Sequence, residues 1–237
     1  MSPIQSLVKD IEAAIDDQTS DRRVALLHRI TNLFIEQMPD LNEEHIGVFD
    51  DVILCLALEI ELHARVELSE RLADLDRAPR KTINNLALDT DIAIARPVLE
   101  RSMCVGEDAL LTVAGERKLE FLKALVRRRM ISSPVTDLLI ERGDDELILS
   151  LVENRQSSLS DHGLRLLAEK AVQDTRLYRV LKTRPDLATR HIGAILEAAK
   201  RRAKAEMRDL AANDDTLESA LTTGTVAVLE NPGVLAV

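Results

Sequence analysis

The sequence predicts an all-α protein: a right-handed α-solenoid of helix pairs, with an N-terminal helical cap. Three observations lead there. The first is composition. Hydrophobic residues make up 46% of the 237-residue chain, yet aromatics only 2%, with 8 Gly and no Trp. A core of Leu, Ile, Val and Ala suits helices, whereas strand-rich domains draw more on aromatic and β-branched residues. The second is apolar spacing of three and four residues along most of the chain. The third is a repeat. Arg71, Arg101, Arg129, Arg155 and Arg184 each close an apolar run before a short polar turn, at spacings of 30, 28, 26 and 29 residues (101−71, 129−101, 155−129 and 184−155). A near-constant period of about 20–50 residues marks stacked repeats.

The chain is accordingly divided into a cap at 1–40, repeats at 41–212 and an irregular or docked tail at 213–237. In the cap, Ile4, Leu7, Val8, Ile11 and Ile15 form a helical stripe over 3–16,. This stripe packs on the repeats or pairs with a second copy, which would make a homodimer. A second helix spans 24–38 and stops at Pro39,. Asn42 caps the next, whose run at 52–58 is apolar all round and predicts burial on more than one face,. The pattern splits near Glu59, giving a partner helix over 61–75.

Four helix pairs follow: 79–88 with 91–101, 107–116 with 118–129, 134–141 with 145–154, and 161–172 with 176–183. Their starts carry physical signals. Ser133-Pro134 supplies a cap and a first-turn proline,. Glu107-Asp108 places negative charge at a positive helix end,. Pro97 lies inside its helix and should kink it near 93–94,. A last helix is expected over 187–210.

Charge limits the partners. Thirty-one basic residues against 41 acidic give −10. That opposes a nucleic-acid backbone or an anionic membrane as main partner, since both require a positive face. The longest apolar run is far short of the roughly 20 residues that span a bilayer. No apolar h-region opens the chain. Cys55 and Cys104 carry no pairing signal. These features lead to an expectation of a soluble, cytoplasmic protein.

An acidic residue opens several second helices and an arginine closes them: Asp91 and Arg101, Asp145 and Arg155, Asp174 and Arg184. Three readings are open. Each charge offsets the helix macrodipole by about 0.3–1 kcal/mol. Alternatively, each arginine reaches the acidic turn of the next repeat and forms a ladder. In the third reading, Arg101, Arg129, Arg155 and Arg184 form a binding site for acidic or phosphorylated motifs.

The stretch RVELSERLADLDRAPRKTINNLALDTDIAIARPVLERS at 65–102 resembles the bacterial DUF2336 family of uncharacterised proteins. Ala78-Pro79, Leu86-Ala87, Asp89 and Ala95 through Leu99 with Ser102 follow its pattern. The segments at 143–160 and 177–188 look similar to it too, so the resemblance covers about 22–198. It implies HEAT-like helical repeats and brings no catalytic residue with it. Members often continue beyond this region, so the short tail is a departure.

Chemistry-bearing motifs are sparse. His28, His45, His63, His162 and His191 lack the neighbours of a phosphotransfer helix. His63 stands four residues from both Glu59 and Glu67, within reach of either,. Two distant cysteines do not make a zinc site, and the acidic turns lack calcium-loop spacing. No P-loop, dinucleotide fingerprint or nucleophile elbow is present. The basic clusters at 127–129 and 200–204 lack aromatic interleaving,. No catalytic residue, metal or cofactor is expected. The expected function is non-enzymatic binding of a protein or peptide, in bacterial signalling or regulation. The alternative is a small-ligand sensor or an enzyme with a pocket in the groove.

Overall fold

The computed structural model describes residues 20–184, together with 200, 201, 203, 204, 207 and 208. The expected helix at 3–16, most of that at 187–210 and the tail at 213–237 lie outside the described residues. So does the question of a dimer through 3–16. The chain divides into two compact units, 1–163 and 164–237.

Among the described residues the fold is all-helical. The first unit opens with α1 (Ser20–Gln37), a 3-10 turn over Met38–Asp40 and α2 (Glu43–Leu58). Asn42 caps α2 by accepting from the His45 amide at 2.8 Å,. α3 (Leu62–Leu72) follows, and α2 ends at Glu59, where the apolar pattern splits. Next come α4 (Arg80–Ala87), α5 (Ile92–Arg101), α6 (Glu107–Glu116), α7 (Leu119–Val126), α8 (Ser133–Arg142) and α9 (Asp145–Glu153). α10 (Asp161–Ala171) begins in the first unit; the second unit also contains α11 (Thr175–Thr183).

In the first unit, successive helices pack in two rows. α2 packs on α4, α4 on α6 and α6 on α8, while α3 packs on α5, α5 on α7 and α7 on α9. The pairs α4–α5, α6–α7 and α8–α9 tie the rows together. The core between them is aliphatic, as composition requires. Ile83 and Leu86 of α4, Ile94 and Leu99 of α5, and Leu122 and Leu125 of α7 are all sealed from solvent,. In the second unit Leu167, Leu177 and Leu181 are buried.

The rows are keyed by polar contacts roughly one repeat apart. α4 has no side-chain cap of its own. Asp50 of α2, itself buried, supplies one: its carboxylate accepts from the amides of Lys81 at 2.7 Å and Thr82 at 2.8 Å. Ser69 of α3 donates to the Ile94 carbonyl of α5 at 2.6 Å. Asp137 of α8 accepts from the Ser160 hydroxyl at 2.7 Å, and that hydroxyl in turn accepts from the Gly163 amide.

Two expectations are corrected and one is met in part. α2 packs on two neighbours, yet part of its apolar run stays open: Leu58 is 58% exposed and Cys55 is exposed, as is Val48 at 62%. Among the described helices its neighbours are α1 and α4, and they leave this face open. α7 ends at Val126 rather than 129, because the chain turns there to carry Arg128 inward. The acidic starts are side-chain caps. Asp91 accepts from the Ala93 amide at 2.8 Å, and Asp144, one residue before the expected Asp145, accepts from Leu147 at 2.8 Å,. Pro97 sits within α5, buried against the core.

Candidate functional site

A helix leaves its last carbonyls without intrahelical donors. Here the next helix pair provides them. Arg128 lies just beyond α7. Its guanidinium donates to the carbonyls of Leu99 and Ser102, both at 2.7 Å, and of Val98 at 3.3 Å, at the end of α5. Just beyond α9 the same role falls to an amide: Asn154 donates to the carbonyls of Val126 at 3.0 Å and Arg128 at 2.8 Å. The other row repeats the device. Arg142 donates to Ala114 at 2.5 Å and to Arg117 at 3.1 Å, and Arg117 donates to the Leu88 carbonyl.

These contacts form a ladder, but not the expected one: its donors are Arg117, Arg128, Arg142 and Asn154 rather than Arg129 and Arg155, and it runs the opposite way. Each donor reaches back to the preceding helix pair, and it meets mainly backbone carbonyls rather than acidic turns. Carbonyls at a helix C-terminus carry the negative end of the dipole, which makes them the natural target of a cation from the following helix. Arg101 combines both: it donates to the Glu70 carboxylate at 2.6 Å, to Asp74 at 3.1 Å and to the Glu70 carbonyl at 3.3 Å. Its bond to Glu70 raises its pKa above the ordinary value.

The four arginines singled out from the sequence thus part company. Arg101 is held in ion pairs. Arg184, in the second unit, is buried and has a partner. Arg129 and Arg155 are exposed, and neither has a hydrogen bond or ion pair among the described residues. Their segments run side by side. Ile131 and Ser157 form a parallel bridge, with the Ile131 amide donating to Gln156 at 3.4 Å and the Ser158 amide to Ile131 at 2.9 Å. Arg129 and Arg155 each stand two residues before a bridging residue.

Beside this bridge is a cleft of about 660 Å³, lined by Met103, Arg127, Arg129, Met130, Ser150 and Gln156, with Val126, Arg128 and Asn154 completing it. Met103 is 50% and Met130 60% exposed. Among the described residues no carboxylate lines it. Glu100 stands 3.3 Å from Arg127 and offsets part of that charge. Burial of Arg128 lowers its pKa to about 10, so it is charged at neutral pH,. Its Nε–H has no partner among the described residues. The periodic arginines pointed to this region, but the exposed methionines gave no sequence signal, because a methionine in an apolar pattern reads as core.

The histidines are placed elsewhere. Glu67 lies 3.3 Å from His28, Glu59 pairs with Arg23, and His162 stands 3.3 Å from Glu141. His63 thus does not take the partners its spacing offered. Cys55 and Cys104 are free thiols. Among the described residues, no three His, Cys, Asp or Glu side chains gather as a metal site, and no helix is long and apolar enough to cross a membrane.

Fold and cleft together define an all-α protein of paired helices with an arginine–methionine groove at the helix C-termini. No curated protein and no solved structure matches the chain. A family model matches residues 94–230, more than half of it. The chain belongs to DUF2336, described as an uncharacterised protein family conserved in bacteria. The match begins after most of the 65–102 segment and runs through the tail to residue 230.

Proposed function

We propose that this protein is a non-enzymatic α-solenoid of HEAT-like helix pairs that binds another protein, acting in the bacterial cytoplasm in signalling or regulation. The observation that carries the reading is the make-up of the cleft. Its titratable lining consists of arginines, and an arginine keeps its proton through any ordinary reaction cycle, so it offers no acid–base pair. Exposed methionine beside exposed, unpaired cation is instead a recognition surface: methionine adapts to irregular apolar partners, and arginine is favoured at the centre of interfaces. The successive packing of α2–α4–α6–α8 and α3–α5–α7–α9 supports a solenoid, whose use is an extended surface,.

A small-ligand sensor or an enzyme using the same cleft is the second reading. The volume favours it, since about 300–1,000 Å³ is usual for small-molecule sites,. Affinity capture from a native bacterial lysate with the whole chain as bait separates the two. A stoichiometric protein partner that survives physiological salt is the expected result. A co-purifying small molecule with no protein partner would move the function to the second class.

A further inference from the structure

We propose that the cleft takes an acidic, partly apolar peptide segment of the partner, with carboxylates on Arg129 and Arg155 and a Leu- or Met-like side chain on Met103 and Met130. This rests on the reading of the chain as a protein-binding module and adds the partner's chemistry. Charge complementarity carries it. The chain is −10 overall, yet Arg127, Arg128 and Arg129 line one cleft whose wall, among the described residues, has no carboxylate. Arg128 is committed to the α5 carbonyls and Arg127 faces Glu100. Arg129 in the cleft wall and Arg155 on the adjoining segment, between the lining residues Asn154 and Gln156, have no ion pair among the described residues. Two guanidiniums so placed suit carboxylates, which they bind through paired N–H donors. A positive patch within a negative surface also repels basic partners and steers acidic ones.

The apolar part of the ligand follows from Met103 and Met130, which are half or more exposed beside the charge. A free phosphate ion has nothing to place on them. Single-stranded nucleic acid requires aromatic side chains to stack its bases, and the cleft has none,.

The test is fluorescence anisotropy on the intact chain with a short fluorescein-labelled peptide of alternating Glu and Leu. Two control peptides replace Glu by Lys or Leu by Ser. The Glu/Leu peptide should bind, the Lys/Leu peptide should not, and the Glu/Ser peptide should bind more weakly. The double variant Arg129→Glu with Arg155→Glu should lower affinity about tenfold or more. Both side chains are exposed and unbonded, so it should fold normally, as circular dichroism would check. Met130→Ser should weaken binding without changing its salt dependence. The proposal is overturned if the Glu/Leu peptide does not bind, if the double variant binds it unchanged, or if inorganic phosphate displaces it fully. Should the double variant still capture the same lysate partner, the binding module would stand and the acidic-peptide assignment would fall.

Discussion

Arg128 donates to the Leu99 carbonyl at 2.7 Å from a position only 5% exposed to solvent. A buried cation is tolerated when most of its donors are used, and here two of the three acceptors, the Leu99 and Ser102 carbonyls, lie past the last bond of α5, from the Ser102 amide to the Val98 carbonyl,. Arg128→Met should therefore lower stability by about 3 kcal/mol, because it strands the Leu99 and Ser102 carbonyls together,. Urea unfolding would show a lower midpoint at unchanged slope. Arg128→Lys should recover only part of the loss, since a single ammonium cannot reproduce the fork.

The pH dependence of that contribution has a definite sign. Burial lowers the folded-state pKa to about 10, below the ordinary arginine value. Below that pKa both states hold the proton, so the unfolding free energy gains no slope from this group. Above it the folded state releases its proton first, the unfolded state binds more, and stability from this group rises with pH. The stability difference between wild type and Arg128→Met should be flat from about pH 6 to about pH 9. A slope in that interval would place the effect on another residue.

Asp50 and Thr82 offer a second test. The Asp50 carboxylate accepts from the Lys81 amide, the Thr82 amide and, at 2.8 Å, the Thr82 hydroxyl. Asp50→Ala should cost about 2–3 kcal/mol, because it removes the start of α4's capping and leaves amide donors unpaired. Thr82→Val keeps the amide bonds and should cost about 1 kcal/mol. A double-mutant cycle of the two should show clear coupling.

Two glycines should respond oppositely to alanine. A Cβ at Gly143 would lie 2.6 Å from the Leu139 carbonyl oxygen, a backbone atom that cannot step aside. Gly143→Ala should destabilise by about 1–3 kcal/mol. At Gly115, within α6, a Cβ meets nothing within 4 Å. Gly115→Ala should be stabilising by up to about 1 kcal/mol, through helix propensity. Thermal unfolding of both variants checks the pair.

Arg101 provides the contrast to Arg128. Its pairs with Glu70 and Asp74 lie on the surface, with side chains 37%, 52% and 68% exposed. Arg101→Ala should cost less than about 1 kcal/mol, and the loss should shrink further in high salt. An effect as large as that of Arg128→Met would mean that the carbonyl bond to Glu70 outweighs both ion pairs.

Periodicity and capping residues located the helices, often to within a residue or two: the expected 107–116, 145–154 and 161–172 appear as Glu107–Glu116, Asp145–Glu153 and Asp161–Ala171. Those signals are local, arising from side chains a turn apart and from a cap beside its own amides, so a linear reading recovers them. The regular arginines fell near the ends of helix pairs, but the donors that join the pairs are mostly their neighbours, Arg117, Arg128, Arg142 and Asn154. The sequence could not tell Arg128 from Arg129, since which member of an Arg-Arg-Arg run turns inward depends on where α7 stops and on carbonyls some 30 residues earlier,. Nor could it separate Met103 and Met130 from core methionines, because exposure depends on neighbours distant in the chain. Sequence alone thus determined the all-α class and most of the helix bounds. Only tertiary packing decided which arginines are consumed in holding helix pairs together and which stay exposed.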